Sequence, residues 1–120
     1  MKKYFVTYEQ ALALKELGFD EPCFGFYSVL YDLMITQTNG KKSLFELECL
    51  APLKSQVFEW FRNYSELYYI QSLIQEYDIN NYMYSIDDGV QEDISVTGFE
   101  TYEEAESACI DALIVLIKNK

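Results

Sequence analysis

Histidine is absent from this 120-residue chain. That removes imidazole as a general acid or base, the Cys–His and Ser–His nucleophile pairs, and any His-containing metal site. Cations are almost as scarce in the second half. No Lys or Arg lies between Arg62 and Lys118, a span that holds twelve carboxylates within a net charge of −11. Such a field repels phosphate backbones and anionic membranes. The adjacent basic pairs Lys2-Lys3 and Lys41-Lys42 make too small a footprint for DNA or RNA, so neither nucleic acid nor membrane is an expected partner. The five glycines are isolated, which excludes a glycine-rich phosphate loop. Cys23, Cys49 and Cys109 are odd in number and contain no CxxC pair; reduced thiols in a cytoplasm are expected, not a disulfide framework or zinc site. The opening MKKYFVTYEQ has no apolar core of a signal peptide, and Ala112–Ile117 is too short to span a bilayer. A cytoplasmic location follows as an expectation.

What the chain does have is apolar and aromatic mass: 50% hydrophobic, 17% aromatic, with eleven tyrosines. This excludes disorder and predicts one α+β domain over residues 1–120 with a core of its own. The richest short stretch is Ala51–Tyr64. At about 100° per residue, Leu53, Val57, Trp60, Phe61 and Tyr64 share one side with Phe58 at its edge, and Ser55, Gln56, Glu59, Arg62 and Asn63 share the other. An amphipathic helix is predicted there, with Pro52 in its first turn.

Around it, local signals set the order. Lys2–Val6 reads as a short strand or lead-in. Thr7 and Gln10 have capping-box spacing, with Val6 and Ala11 placed as a staple, so a helix starts at Thr7 and runs to about Leu17. Gly18 is its left-handed cap, followed by Phe19, and Pro22 prevents restart. Cys23–Leu30 and Leu33–Thr38 read as strands, and Asn39-Gly40 predicts a hairpin that pairs Leu33–Thr38 with Leu44–Cys49. Leu67–Ile74 reads as a strand with both faces partly apolar, with helix as its alternative, Asp78–Asn81 as a turn, and Tyr82–Asp87 as a strand with Tyr82, Tyr84 and Ile86 on one face. Asp88–Gly98 reads as an acidic loop with a strand fragment at Ile94–Val96. Thr101 and Glu104 predict a second capping box. The helix they open carries a stripe of Tyr102, Ala105, Cys109, Ala112, Leu113 and Leu116. Ile110, Ile114, Val115 and Ile117 widen the stripe until its C-terminal half is apolar nearly all round. Either the sheet and first helix cover it, or a second subunit does. The expected fold is a small antiparallel sheet of four or five strands with three helices mainly on one face, in the order α-β-β-(β)-α-β-β-α.

Carboxylates remain as the available chemistry. Asp87-Asp88 and Glu92-Asp93 are hard ligands of the type that chelates Ca²⁺ or Mg²⁺, but DDGVQED lacks the alternating spacing of an EF-hand loop. Solvated loop acids are the plainer reading, and no metal, cofactor or catalytic residue is assigned. Acids beside aromatics also suit contact with an Arg- or Lys-rich protein, by stacking and ion pairing. The candidate partner surface is therefore Tyr82, Tyr84, Asp87, Asp88, Glu92 and Asp93. The competing reading is an ordinary sheet face beside a solubilising acidic one.

Three segments, VTYEQALALKELGFDEPCFGFY (Val6–Tyr27), LAPLKSQVFEWFRNY (Leu50–Tyr64) and TYEEAESACIDALI (Thr101–Ile114), together resemble a family of short proteins of bacteriophages and prophage-like regions that has no assigned activity. The resemblance covers about half the chain and implies a phage or mobile-element context with intracellular action. It implies no mechanism. The expectation is a non-enzymatic accessory protein that touches a host or phage protein, counter-defence being one version. The alternatives are an oligomeric small-molecule or nucleotide-binding domain, built on the helix Thr101–Lys118, and a virion or assembly component.

Overall fold

The computed structural model describes residues 2–28, 30, 32–40, 49–63, 71–87 and 94–119. It is an α+β arrangement of three α-helices and two three-stranded antiparallel sheets. Two compact units divide the chain, residues 1–54 and 55–120. The single sheet of four or five strands is thus replaced by two smaller ones, each closed within its own unit.

In the first unit a 3₁₀ turn, Lys2–Tyr4, leads into helix α1, Tyr8–Glu16. The capping box forms as expected: the Thr7 N–H donates to Gln10 Oε1 at 2.9 Å, and the Gln10 N–H donates to Thr7 Oγ1 at 3.2 Å. Both staple residues, Val6 and Ala11, are buried. At the far end Gly18 takes φ 99°, and the Gly18 and Phe19 N–H groups donate to the carbonyls of Lys15 and Leu14. This double bond pattern satisfies two orphan carbonyls and needs a residue without Cβ at the turn.

Strands β1 (Cys23–Tyr27), β2 (Leu33–Gly40) and β3 (Cys49–Leu50) lie in the order β2-β1-β3. This corrects the hairpin predicted at Asn39-Gly40. Gly40 sits in β2 opposite Cys23, and Cys49 pairs with Tyr27 of β1; Leu44–Glu48 lies outside the described residues. CFGFY is the most apolar of the three strands and takes the centre, with Cys23, Phe26 and Tyr27 buried and Phe24 left exposed. The β1–β2 connection is closed by chemistry that the sequence carried quietly: Ser28 Oγ accepts from the Leu30 N–H, and the Ser28 N–H donates to the Asp32 carbonyl.

Gly25 is where backbone approaches backbone. Its carbonyl accepts from the Ala51 N–H at 2.9 Å. A Cβ built there lies 2.7 Å from the Ala51 carbonyl oxygen and 2.8 Å from the Phe5 ring. The oxygen belongs to the backbone, which cannot swing aside as the far end of a flexible side chain can. Gly25→Ala is expected to cost about 1–3 kcal/mol through overpacking, read as a lower urea midpoint. An unchanged midpoint refutes the close approach.

Helix α2 spans Lys54–Asn63, so its predicted start is corrected. Pro52 precedes the first turn; its carbonyl accepts from the Val6 N–H at 3.2 Å, and Leu53 bridges Phe5. Residues 51–53 are held extended by those bonds, which removes Leu53 from the helical stripe. Val57, Phe58 and Phe61 are the buried face and Trp60 is half-buried, so the stripe is turned toward Phe58. Tyr64 lies outside the described residues.

In the second unit β4 (Gln71–Asp78), β5 (Asn81–Asp87) and β6 (Ile94–Phe99) form a meander, β4-β5-β6. The β4–β5 turn is Ile79-Asn80, with Asn80 at φ 55°, a conformation that asparagine tolerates better than most residues. Strand β6 is longer than the fragment read from sequence. Gly98, at φ 103°, sits in a bulge opposite Tyr82 and Met83, and its N–H donates to Asn81 Oδ1 at 2.9 Å. Helix α3, Tyr102–Lys118, packs on this sheet. Thr101 Oγ1 accepts from the Glu104 N–H at 3.1 Å, but the Glu104 carboxylate reaches one residue past the cap, to the Glu100 N–H. Among the described residues no helix is long and apolar enough to cross a membrane.

Candidate functional site: a groove between α3 and β6

Directly opposed residues of neighbouring strands share a face. Ile74, Tyr84 and Val96 are opposed, as are Ser72, Ile86 and Ile94. Buried Tyr84 and Ile86 mark this as the face toward α3. Met83, Ser85, Thr97 and Ser95 project from the other side.

α3 covers its sheet unevenly. Its buried residues are Ala105, Cys109, Ile110, Leu113, Ile114 and Ile117. The predicted stripe is therefore corrected: Tyr102 is 44% exposed, and Ala112 and Leu116 are only half-buried. A helix that is apolar nearly all round offers two stripes, and the one carrying three isoleucines buries more area. The leftover stripe stays open beside β6. Ile94 and Val96 remain 42% and 37% exposed on the same side, and Val115 is 56% exposed. Tyr84, Ile94, Ala112, Val115 and Leu116 line a groove of about 450 Å³ whose one acidic lining residue is Asp111. Asp87 at the end of β5 and Glu104 in the first turn of α3 are exposed elsewhere on this unit, and Glu103 and Glu106 are half-exposed.

Of the residues expected to form a partner surface, Tyr82, Tyr84 and Asp87 are among the described residues. Tyr84 does not belong to an exposed one: it is 7% exposed, with its ring 5.9 Å from that of Phe99. Alternation identified its face correctly but not that α3 covers it. Burial pushes its hydroxyl pKa up, and nearby Cys109 and Asp111 add to the rise. Tyr82 is half-buried, edge-on to Tyr102 of α3 at 6.4 Å between centroids. Tyr102 is also raised, first by burial and then by Glu106 and Glu103. Asp87 is exposed at the end of β5. Asp88, Glu92 and Asp93 lie outside the described residues. Sequence reading missed Ile94, Val96 and Val115. The signal available for them was the charge-free run ISVTGF in an acidic half-chain.

A second, more polar cavity of about 320 Å³ lies between α2, β4 and the start of α3, lined by Ser55, Phe58, Arg62, Ser72, Tyr102 and Glu106. Arg62 is the last cation before Lys118 in the sequence. Beneath it the Cys109 thiol hydrogen-bonds Ser72; burial, outweighing that bond and assisted by Glu106, pushes the thiol up to about 12. Cys109 is thus a neutral core group at physiological pH and not a nucleophile. Among the described residues no cluster of three or more Cys, Asp or Glu side chains is placed to hold a metal ion. Comparison with family models, curated proteins and solved structures finds no match to this chain.

Proposed function

We propose that the chain is a non-catalytic accessory protein of a phage or mobile element that acts by protein–protein contact inside a host cell, through the β6–α3 face of residues 55–120. The observation that carries this is the pairing of an open apolar groove with a charge-free strand edge in the most acidic part of the molecule. Apolar surface that stays exposed beside a hydrogen-bonding edge marks a place of contact. Asp111 in its lining and the net negative charge of this half of the chain repel polyanions. The three-segment resemblance supplies the biological setting, with counter-defence as one version of the role.

The test is co-purification of the tagged chain from host cells carrying the element, comparing wild type with Asp87→Lys and Val115→Glu. Both positions are exposed, so the fold is retained and far-UV circular dichroism stays unchanged. Loss of specific partners in either variant supports the reading; identical partner sets and identical solution mass in all three sink it.

The polar cavity favours a second reading, a small-molecule or nucleotide-binding domain. Arg62 is a donor for an anionic group, Ser55 and Ser72 present hydroxyls, and Tyr102 and Phe58 offer ring faces. A thermal-shift panel of nucleotides tests it: a rise abolished by Arg62→Ala supports a ligand site, and no rise with any member removes the reading.

A further inference from the structure

We propose that the occupant of the groove is a second copy of this chain, joined edge to edge through antiparallel β6 strands, with each α3 closing the groove of the other. This rests on the contact reading above and names its partner. Among the described residues β6 pairs with β5 alone, and no described strand lies along its other edge. Protein sheets commonly guard such edges with charge. The opposite edge, β4, carries Glu76 and Asp78, whereas β6 (ISVTGF) carries no charge.

Two identical edge strands pair antiparallel about a two-fold axis normal to the sheet, an isologous contact that closes on itself. That operation keeps both helices on the same face and sets them antiparallel, one on each side of the uncovered Ile94 and Val96. The exposed line of α3 suits such a neighbour. Glu104, Ala108, Asp111, Val115 and Lys118 recur in steps of four and three residues and so share one line of the helix, with Ala108 and Val115 as its apolar members. An antiparallel copy brings the acidic first turn, Glu103 and Glu104, toward Lys118 of the second copy and opposes the helix dipoles. Asp111, midway along the line, faces its own counterpart and is the unfavourable contact. A cationic partner reverses that sign, because Asp111 then becomes an attraction.

Sedimentation velocity of the full chain, with hydrogen exchange of the β6 amides, decides. The expected result is a species of twice the 14.1 kDa chain mass whose β6 amides are protected. Val115→Glu and Ile94→Lys, on separate elements, each weaken it by about tenfold or more, with unchanged circular dichroism. Asp111→Asn tightens it. So does raising salt from about 0.1 to about 1 M, which shortens the screening length from about 10 to about 3 Å and relieves repulsion between two acidic chains. Ile35→Lys on β2, a charge-free edge strand of the other sheet among the described residues, leaves it unchanged. A monomer at about 1 mM with freely exchanging β6 amides overturns the proposal, as does a dimer lost in Ile35→Lys but kept in Val115→Glu and Ile94→Lys. If Asp111→Asn weakens association, or the chain is monomeric and β6 becomes protected only by a different protein, the second copy is wrong while the contact reading stands. If Val115→Glu alters neither mass, nor β6 protection, nor partners, both fall.

Discussion

Phe61→Ala is expected to lower stability by about 3–5 kcal/mol, the range for removing a buried phenylalanine and leaving a cavity. Phe61 heads the fully buried side chains by volume and shares the buried face of α2 with Val57 and Phe58. Its ring lies 5.3 Å from that of Trp60, the only tryptophan, which makes indole fluorescence a local reporter. In urea, where small proteins lose about 1–3 kcal/mol per molar, the midpoint falls by roughly 2 M. Because a marginal protein has only about 5–15 kcal/mol in hand, Phe61→Leu is the second arm; it keeps most of the volume and costs less than about 1.5 kcal/mol. A loss below about 1 kcal/mol for the alanine variant places Phe61 outside the core.

The second large effect is alkaline. The Cys109 thiol titrates at about 12 instead of 9.0. Below pH 9 it is protonated in both folded and unfolded chains and contributes no pH dependence. Between 9 and 12 the unfolded chain sheds the proton while the folded chain keeps it, so the unfolded state gains and stability falls as pH rises. Over the full window the loss is about 4 kcal/mol. Tyr27, Tyr84 and Tyr102 are raised from an ordinary 10.0 by burial above all, and act in the same direction at higher pH. Urea unfolding of wild type and Cys109→Ala across this window isolates the thiol: the variant starts less stable, but its stability declines less steeply. Parallel declines would show that Cys109 carries no such linkage.

What was legible in the sequence was local chemistry. Thr7 with Gln10, Gly18, and Thr101 with Glu104 name their helix ends because a cap is decided within a few residues. The alternation at Tyr82–Asp87 and the α+β class followed equally well. Pairing partners did not, because they are set by contacts distant in sequence. Asn39-Gly40 advertises a hairpin, yet β2 joined the far side of β1; Pro52 suits a first turn, yet its carbonyl is engaged by Val6. Two sheets and one sheet are written with the same strands. The groove was hidden for a related reason. Periodicity finds an apolar face on α3 but cannot rank two overlapping stripes on a helix that is greasy nearly all round. Which stripe sank depended on the sheet it met, and Tyr84 went under with it.

The kink at Gly98 limits how far β6 can recruit another backbone. Only Ile94–Thr97 keeps an unbroken register with β5, and four extended residues measure about 13 Å. So short a zipper engages few peptide groups, and whatever docks there must draw its grip from the neighbouring helical ridge. A substitution on that ridge is therefore expected to decide whether the rim is used at all.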